Sequence, residues 1–99
     1  MNQYCPFAIR RPGPAWKAWP ERNVVAGIVE HDAGAGTFDG AMSELDGPAP
    51  KSWHFTIDVD GTIYQHYPLY ASCWHTGVRE YNARQIGVEH IRTVGLSAS

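Results

Sequence analysis

The chain has 99 residues, 43% of them hydrophobic and 12% aromatic, enough for one modest core and too few for two. Its formal charge of −2 comes with scattered rather than striped Lys and Arg, which argues against nucleic acid as a partner. No basic segment followed by an apolar one opens the chain, and no apolar run approaches the roughly 18 residues of a membrane span, so neither a secretory signal nor a membrane partner is expected.

Residues 1–22 carry Pro6, Pro12, Pro14 and Pro20 together with Trp16 and Trp19, a composition that blocks long helices and central strands alike. They predict an extended arm whose tryptophans pin it to the core. Asn23-Val24-Val25-Ala26-Gly27-Ile28-Val29 is short, apolar and β-branched, and predicts a strand buried on both faces that delivers Glu30 and His31 at its end. Phe38, Ala41, Met42 and Leu45 then recur at spacings of three and four, the pattern of one short amphipathic helix, which Gly47-Pro48 stops.

Two alternating runs, His54 to Val59 and Thr62 to Tyr67, flank Asp60-Gly61 and predict a β-hairpin. A three-residue loop with Gly61 in the left-handed position sets Ile57 opposite Ile63 and His54 opposite His66, and sorts apolar from polar residues by face. Ile86-Gly87-Val88 predicts a last strand ending on Glu89 and His90, so two strands each finish on an acid–histidine pair. The organisation expected is a single domain over 1–99, with the arm at 1–22, the core at 23–90 and a tail at 91–99. Cys5 and Cys73 are too few and too distant to form a disulfide framework and are read as thiols.

His31, His54, His66, His75 and His90 exceed what packing alone asks of so small a domain, and they suggest a metal or hydrolytic site. Their spacing matches no local motif such as HExxH, so only convergence in space could assemble ligands. A catalytic zinc needs three protein ligands and an open position. His31, at the rigid end of a buried run, is the best candidate for a first ligand, although on the residues alone a histidine hydrogen-bonded at a strand terminus is the reading ahead of it. Glu89 arrives in the same way and suits a general base toward water. Trp53 and Trp74 each precede a histidine and read as core residues or as walls of a sugar or peptide cleft.

In order, IVEHDAGAG, KSWHFTIDVDGTIYQHYPL, ASCWHTG and NARQIGVEH resemble the zinc-dependent N-acetylmuramoyl-L-alanine amidases of the type 2 amidase and peptidoglycan-recognition superfamily. The matching motifs are the strand ending in His31, Ser52-x-His54-Phe55 through Asp60-Gly61, Trp74-His75-Thr76-Gly77, and Asn82 followed by Ile86-Gly87-Val88-Glu89. The resemblance runs from about Val24 to His90 and implies an α/β fold, a mixed central sheet with a flanking helix. It implies Zn2+ as cofactor with His31 as a ligand. Glu89 becomes the catalytic base for hydrolysis of the amide between N-acetylmuramic acid and L-alanine, and His75, Trp74 and His54 border the muropeptide substrate. His75 is not expected to bind zinc. Where one branch of the superfamily has a catalytic tyrosine this chain has Trp53, which favours the glutamate branch. The arm and the lack of a visible signal look most like a phage or prophage lytic enzyme released from the cytoplasm onto the cell wall.

In the family, two further ligands and a covering helix come from beyond the glutamate strand, and residues 91–99 do not resemble that segment. The expectation is therefore a family fold whose C-terminal part is missing. The zinc site would be left incomplete, completed by a second polypeptide, or built by recruiting Cys73, His75 or His54. A noncatalytic peptidoglycan-binding module and a self-associating truncated chain are the alternative readings.

Overall fold

Parallel pairing at the centre of one sheet, with a hairpin beside it, sets the architecture. In the computed structural model, which describes residues 3–19, 23–32, 36–77, 82 and 84–92, the strands are β1 (Ile9–Arg10), β2 (Ala18–Trp19), β3 (Gly27–Asp32), β4 (Phe55–Ile57), β5 (Ile63–Gln65), β6 (Ser72–Cys73) and β7 (Gln85–His90). The helix α1 (Phe38–Asp46) lies between β3 and β4 in the chain, and a single 3-10 turn (Ala15–Lys17) precedes β2. Five strands form a mixed sheet in the order β1-β5-β4-β7-β3, and β2 pairs with β6 in a separate antiparallel ribbon.

The hairpin has the register expected. Ile57 pairs with Ile63, Phe55 with Gln65, and the His66 N–H donates to the His54 carbonyl at 2.8 Å. Asp58 and Thr62 close a loop in which Gly61 takes φ +88°, a conformation that any Cβ would strain. The helix also falls where its apolar spacing put it. Thr37 caps it by accepting the Gly40 N–H at 3.0 Å, and Met42 and Leu45 bury its inner face against Trp53, Tyr67, Ala71 and Cys73.

The structure corrects the expectation for the run from Asn23. Only Gly27–Asp32 is strand, and it lies at the sheet's edge beside β7 alone, with alternate residues half-buried and exposed. Val24, Val25 and Ile28 are 70%, 50% and 67% exposed. Burial on both faces belongs instead to β7, held between β3 and β4, where Ile86 to Glu89 are all buried. Position in the sheet, more than the length of the apolar run, decides burial.

The N-terminal arm is extended, but it is built in rather than laid on. β1 adds a parallel strand to β5, and β2 pairs with β6. Between them Lys17 is fully buried, donating to the Glu44 and Leu45 carbonyls at 3.2 and 2.6 Å and so satisfying acceptors that the end of α1 leaves open. Trp16 and Trp19 both meet Trp74, with ring centroids 5.8 Å away in each case. The tail beyond Arg92 lies outside the described residues.

Candidate active site

Parallel register brings the two candidate functional residues together. On β3 and β7, His31 pairs with Glu89, and on β4 Thr56 pairs with the same Glu89, so the three side chains lie in one row on one face of the sheet. That row is near the carboxyl ends of parallel strands, where α/β sheets commonly bind ligands. The two acid–histidine pairs are thereby sorted onto opposite faces. Glu30 and His90 meet on the other side at 3.1 Å, and Arg92 pairs with Asp32 at 2.8 Å, both at exposed positions.

Glu89 is only 6% exposed. It looks into a cavity of about 220 Å³ that Asp32, Glu44, Lys51 and Trp53 also line, beneath the first half of α1. Burial pushes its carboxyl above the usual range, Lys51 acts against that push, and Glu44 and Asp32 reinforce it. A carboxylate destabilised in this way is a better proton acceptor than one in water.

His31 is half-buried, and burial, followed by the charge on Lys51, lowers its pKa. Its Nε2 lies 3.1 Å from His75 Nδ1, and the two rings are nearly perpendicular. Burial, with His54 and His31 nearby, takes His75 down to about 4. Both rings are therefore neutral at neutral pH, the state in which an imidazole can accept a metal.

The structure turns two of the expected substrate contacts inward. His54 has no exposed surface: its Nε2–H donates to the Ala71 carbonyl at 2.7 Å, and its Nδ1 accepts the Gly87 N–H at 3.1 Å. It pins β7 to the loop before β6 and faces no cleft. His75 is 8% exposed and sits behind His31 rather than on the surface. Trp74 borders open space, in a recess of about 390 Å³ with Trp19, Pro50, Gly77 and Asn82.

Several residues with no obvious chemistry hold this arrangement. Ser52 Oγ donates to the Lys17 carbonyl at 2.6 Å and accepts the Trp74 N–H at 2.8 Å, tying the arm to the Trp-His loop. Asn82 Oδ1 accepts three hydrogens, from His75 N at 3.2 Å, Thr76 N at 3.0 Å and Thr76 Oγ1 at 2.9 Å. Trp53 is core: its indole N–H donates to Thr56 Oγ1 at 2.7 Å, and Thr56 in turn donates to His66 Nε2 at 2.7 Å. Sequence signals for these roles existed only as motif membership, and Lys17 offered none.

The sequence and the fold have counterparts among known proteins. A family model described as N-acetylmuramoyl-L-alanine amidase matches residues 21–98. The chain belongs to that amidase family. The N-acetylmuramoyl-L-alanine amidase CwlH of Bacillus subtilis (strain 168) is 45% identical over 42 residues, which are 39% of this chain and 16% of CwlH. Among solved structures, the catalytic domain of XlyA superposes with a TM-score of 0.68 at 30% identity, covering 83% of this chain and 59% of that one. A mutant endolysin from Bacillus subtilis gives 0.60 at 25% identity over 87% of this chain and 61% of the other. AmpD, at 19% identity and a TM-score of 0.62, shares the fold. The chain thus spans less than two thirds of CwlH and of the XlyA catalytic domain.

A zinc ion, which the family resemblance implies, is met by part of a donor set. His31 presents a neutral imidazole beside a desolvated carboxylate, and both fit. Among the described residues, however, no three His, Cys, Asp or Glu converge as a metal-binding group. Cys5 and Cys73 are free thiols, and burial pushes the Cys73 thiol up, away from the thiolate a metal would need. Cys73 is therefore a poor recruit. No helix among the described residues is long and apolar enough to cross a membrane.

Proposed function

We propose that this chain is a peptidoglycan amidase domain that hydrolyses the amide between N-acetylmuramic acid and L-alanine. The observation that carries the reading is the pairing of His31 with Glu89 across β3 and β7, at the carboxyl ends of the strands and beneath a small cavity. His31 would hold zinc, which when bound supplies Lewis acidity at the scissile carbonyl. Glu89 takes a proton from the attacking water and returns it to the leaving L-alanine nitrogen. Its elevated basicity and its dry setting suit both transfers. Lys51, on the rim of the same cavity, keeps Glu89 ionised enough to act as a base. Trp74 and Trp19 offer aromatic faces to the sugar or stem peptide at the edge of the recess they share. Likeness to an endolysin supports a role in degrading the cell wall.

The test is release of L-alanine-terminated peptides from a purified muropeptide, with and without added zinc. Zinc-dependent release that disappears in Glu89→Ala supports the reading. Release that survives Glu89→Ala removes Glu89 from the mechanism. A second reading, a peptidoglycan-binding module without hydrolysis, draws on the lack of a third converging ligand among the described residues. Cell-wall pulldown with no zinc uptake and no peptide release would establish it instead.

A further inference from the structure

The N-terminal arm brings three indoles to one place. Trp16 and Trp19 each stand 5.8 Å from Trp74, ring centroid to ring centroid, Trp16 edge-on and Trp19 tilted. Both precede residues 21–98, the stretch that the amidase family model matches, so the arm adds them to the Trp-His loop of the matched part. Trp16 keeps 54% of its surface exposed although it packs against Trp74, while Trp19 and Trp74 are half-buried.

The cluster is held from several sides. β2 pairs Ala18 with Cys73 and Trp19 with Ser72, and Ser52 Oγ joins the Lys17 carbonyl to the Trp74 N–H. The Trp74 indole N–H is buried with no acceptor among the described residues, so the arm's rings, not a hydrogen bond at its polar edge, set its tilt. Rigid aromatic rings fixed in this way offer a large contact area and have little conformational entropy left to lose on binding.

Position and charge indicate what they meet. The recess beside Trp19 and Trp74 adjoins the Glu89 cavity: Pro50 lines the first and Lys51 the second, and His75, next to Trp74, contacts His31. The described walls of the recess include no ionisable side chain, whereas Asp32, Glu44, Lys51 and Glu89 line the cavity. Peptidoglycan has two halves that differ in the same way. Its glycan is a chain of N-acetylhexosamines, neutral because the lactyl carboxyl of the muramic acid is consumed in the amide. Its stem peptide bears free carboxylates, which an uncharged aromatic wall would desolvate without a partner.

We propose that Trp16 and Trp19, together with Trp74, form a saccharide subsite that takes the glycan strand and leaves the stem peptide to the charged side of the cleft. The C–H faces of the sugar rings pack on the indoles, and the hydroxyl groups at their rims stay in water. The choice of ligand rests on the amidase reading; the platform stands on the ring geometry.

The experiment follows the indole N–H resonances of the 15N-labelled full chain while two probes are added separately, the neutral glycan chitotetraose and the stem tripeptide L-Ala-γ-D-Glu-L-Lys. Chitotetraose should move the signals of Trp16, Trp19 and Trp74 and leave that of the core residue Trp53, and the tripeptide should leave Trp16 and Trp19 unmoved. Trp16→Ala should weaken chitotetraose binding about 5- to 30-fold, and Trp16→Phe, which keeps a ring, should recover most of it. On a glycan-bearing muropeptide, Trp16→Ala should raise KM more than it lowers kcat. An unchanged Trp53 signal reports that a variant is folded, and if Trp16→Ala is not, the wild-type shifts and Trp16→Phe carry the test.

Three indoles indifferent to chitotetraose, an equal response of Trp16 and Trp19 to the tripeptide, or undiminished glycan binding by folded Trp16→Ala would each overturn the inference. Muropeptide hydrolysis without any glycan response at the indoles would do so too and leave the amidase reading standing. Glycan binding that depends on Trp16, with no hydrolysis, would support the subsite and remove the amidase reading.

Discussion

Ser52, His54 and His75 lie in the motifs that drew attention to this sequence, yet all three are buried and act chiefly as ties between segments. Histidine and serine look alike in a sequence whether they serve a substrate or a backbone amide, so their inward orientation was not legible. That Glu89 and His31 each end an apolar run was legible, and parallel register then places them side by side. Two substitutions separate these kinds of residue. Glu89→Gln should lower muropeptide hydrolysis by about 10²- to 10⁴-fold, the range a positioned general base supplies. It should leave stability equal or higher, because burial already disfavours the charged carboxylate in the fold. His54→Ala should do the reverse to stability. It strands the Ala71 carbonyl and the Gly87 N–H and opens a cavity, a loss of roughly 2–4 kcal/mol in urea unfolding. An active, fully stable His54→Ala chain would show that the histidine is not a pin.

At the scale of elements, local rules succeeded where the answer is local. The hairpin register followed from Asp60-Gly61 and from the need to keep Ile57 and Ile63 on one face, and the helix followed from its apolar spacing and the Gly47 stop. Both therefore permit quantitative tests. Gly61→Ala meets the cost of a left-handed backbone at φ +88°, about 1–2 kcal/mol, with no compensating contact for the new methyl group. Thr37→Ala removes the cap of α1 and should cost about 1 kcal/mol. Thermal unfolding of the two variants measures both, and wild-type stability in Gly61→Ala would mean the loop takes another turn. The misreading of β3 has the opposite origin. Nothing within Asn23 to Val29 says that β7 will lie on one side of it and no described strand on the other, because sheet order is a long-range property. The strands within the arm were illegible for the same reason: Ile9 and Trp19 form strands only through partners more than fifty residues away, Tyr64 and Ser72.

The whole molecule binds its polar network around uncharged histidines, and this makes its stability depend on pH in a definite direction. His54, His66 and His75 are each held down to about 4, mainly by burial, against 6.5 for an ordinary histidine. The bonds explain why protonation is not tolerated. His54 Nδ1 accepts the Gly87 N–H, and His66 Nε2 accepts from Thr56 while its Nδ1–H donates to the Arg11 carbonyl at 2.7 Å, so a second ring proton would break an acceptor role in each. Because the folded pKa lies below the unfolded one, the unfolded chain binds more protons between the two values. Stability is therefore complete above about 6.5 and is lost as pH falls from there toward 4. Each fully expressed shift corresponds to roughly 3 kcal/mol, and three together rival the roughly 5–15 kcal/mol that holds a small domain folded. The chain should accordingly unfold in acid before the rings finish titrating, with a midpoint inside that window. Asp46, lowered by its bond to Arg11, loses its contribution only as pH falls below the ordinary carboxylate range. Glu89, raised by burial, opposes the trend weakly. Near-UV circular dichroism across pH 7 to 4, paired with urea midpoints, reads the slope directly. A stability that stays level from pH 7 to 4.5 would mean that the buried rings take up protons in the folded chain over the same range as in the unfolded one.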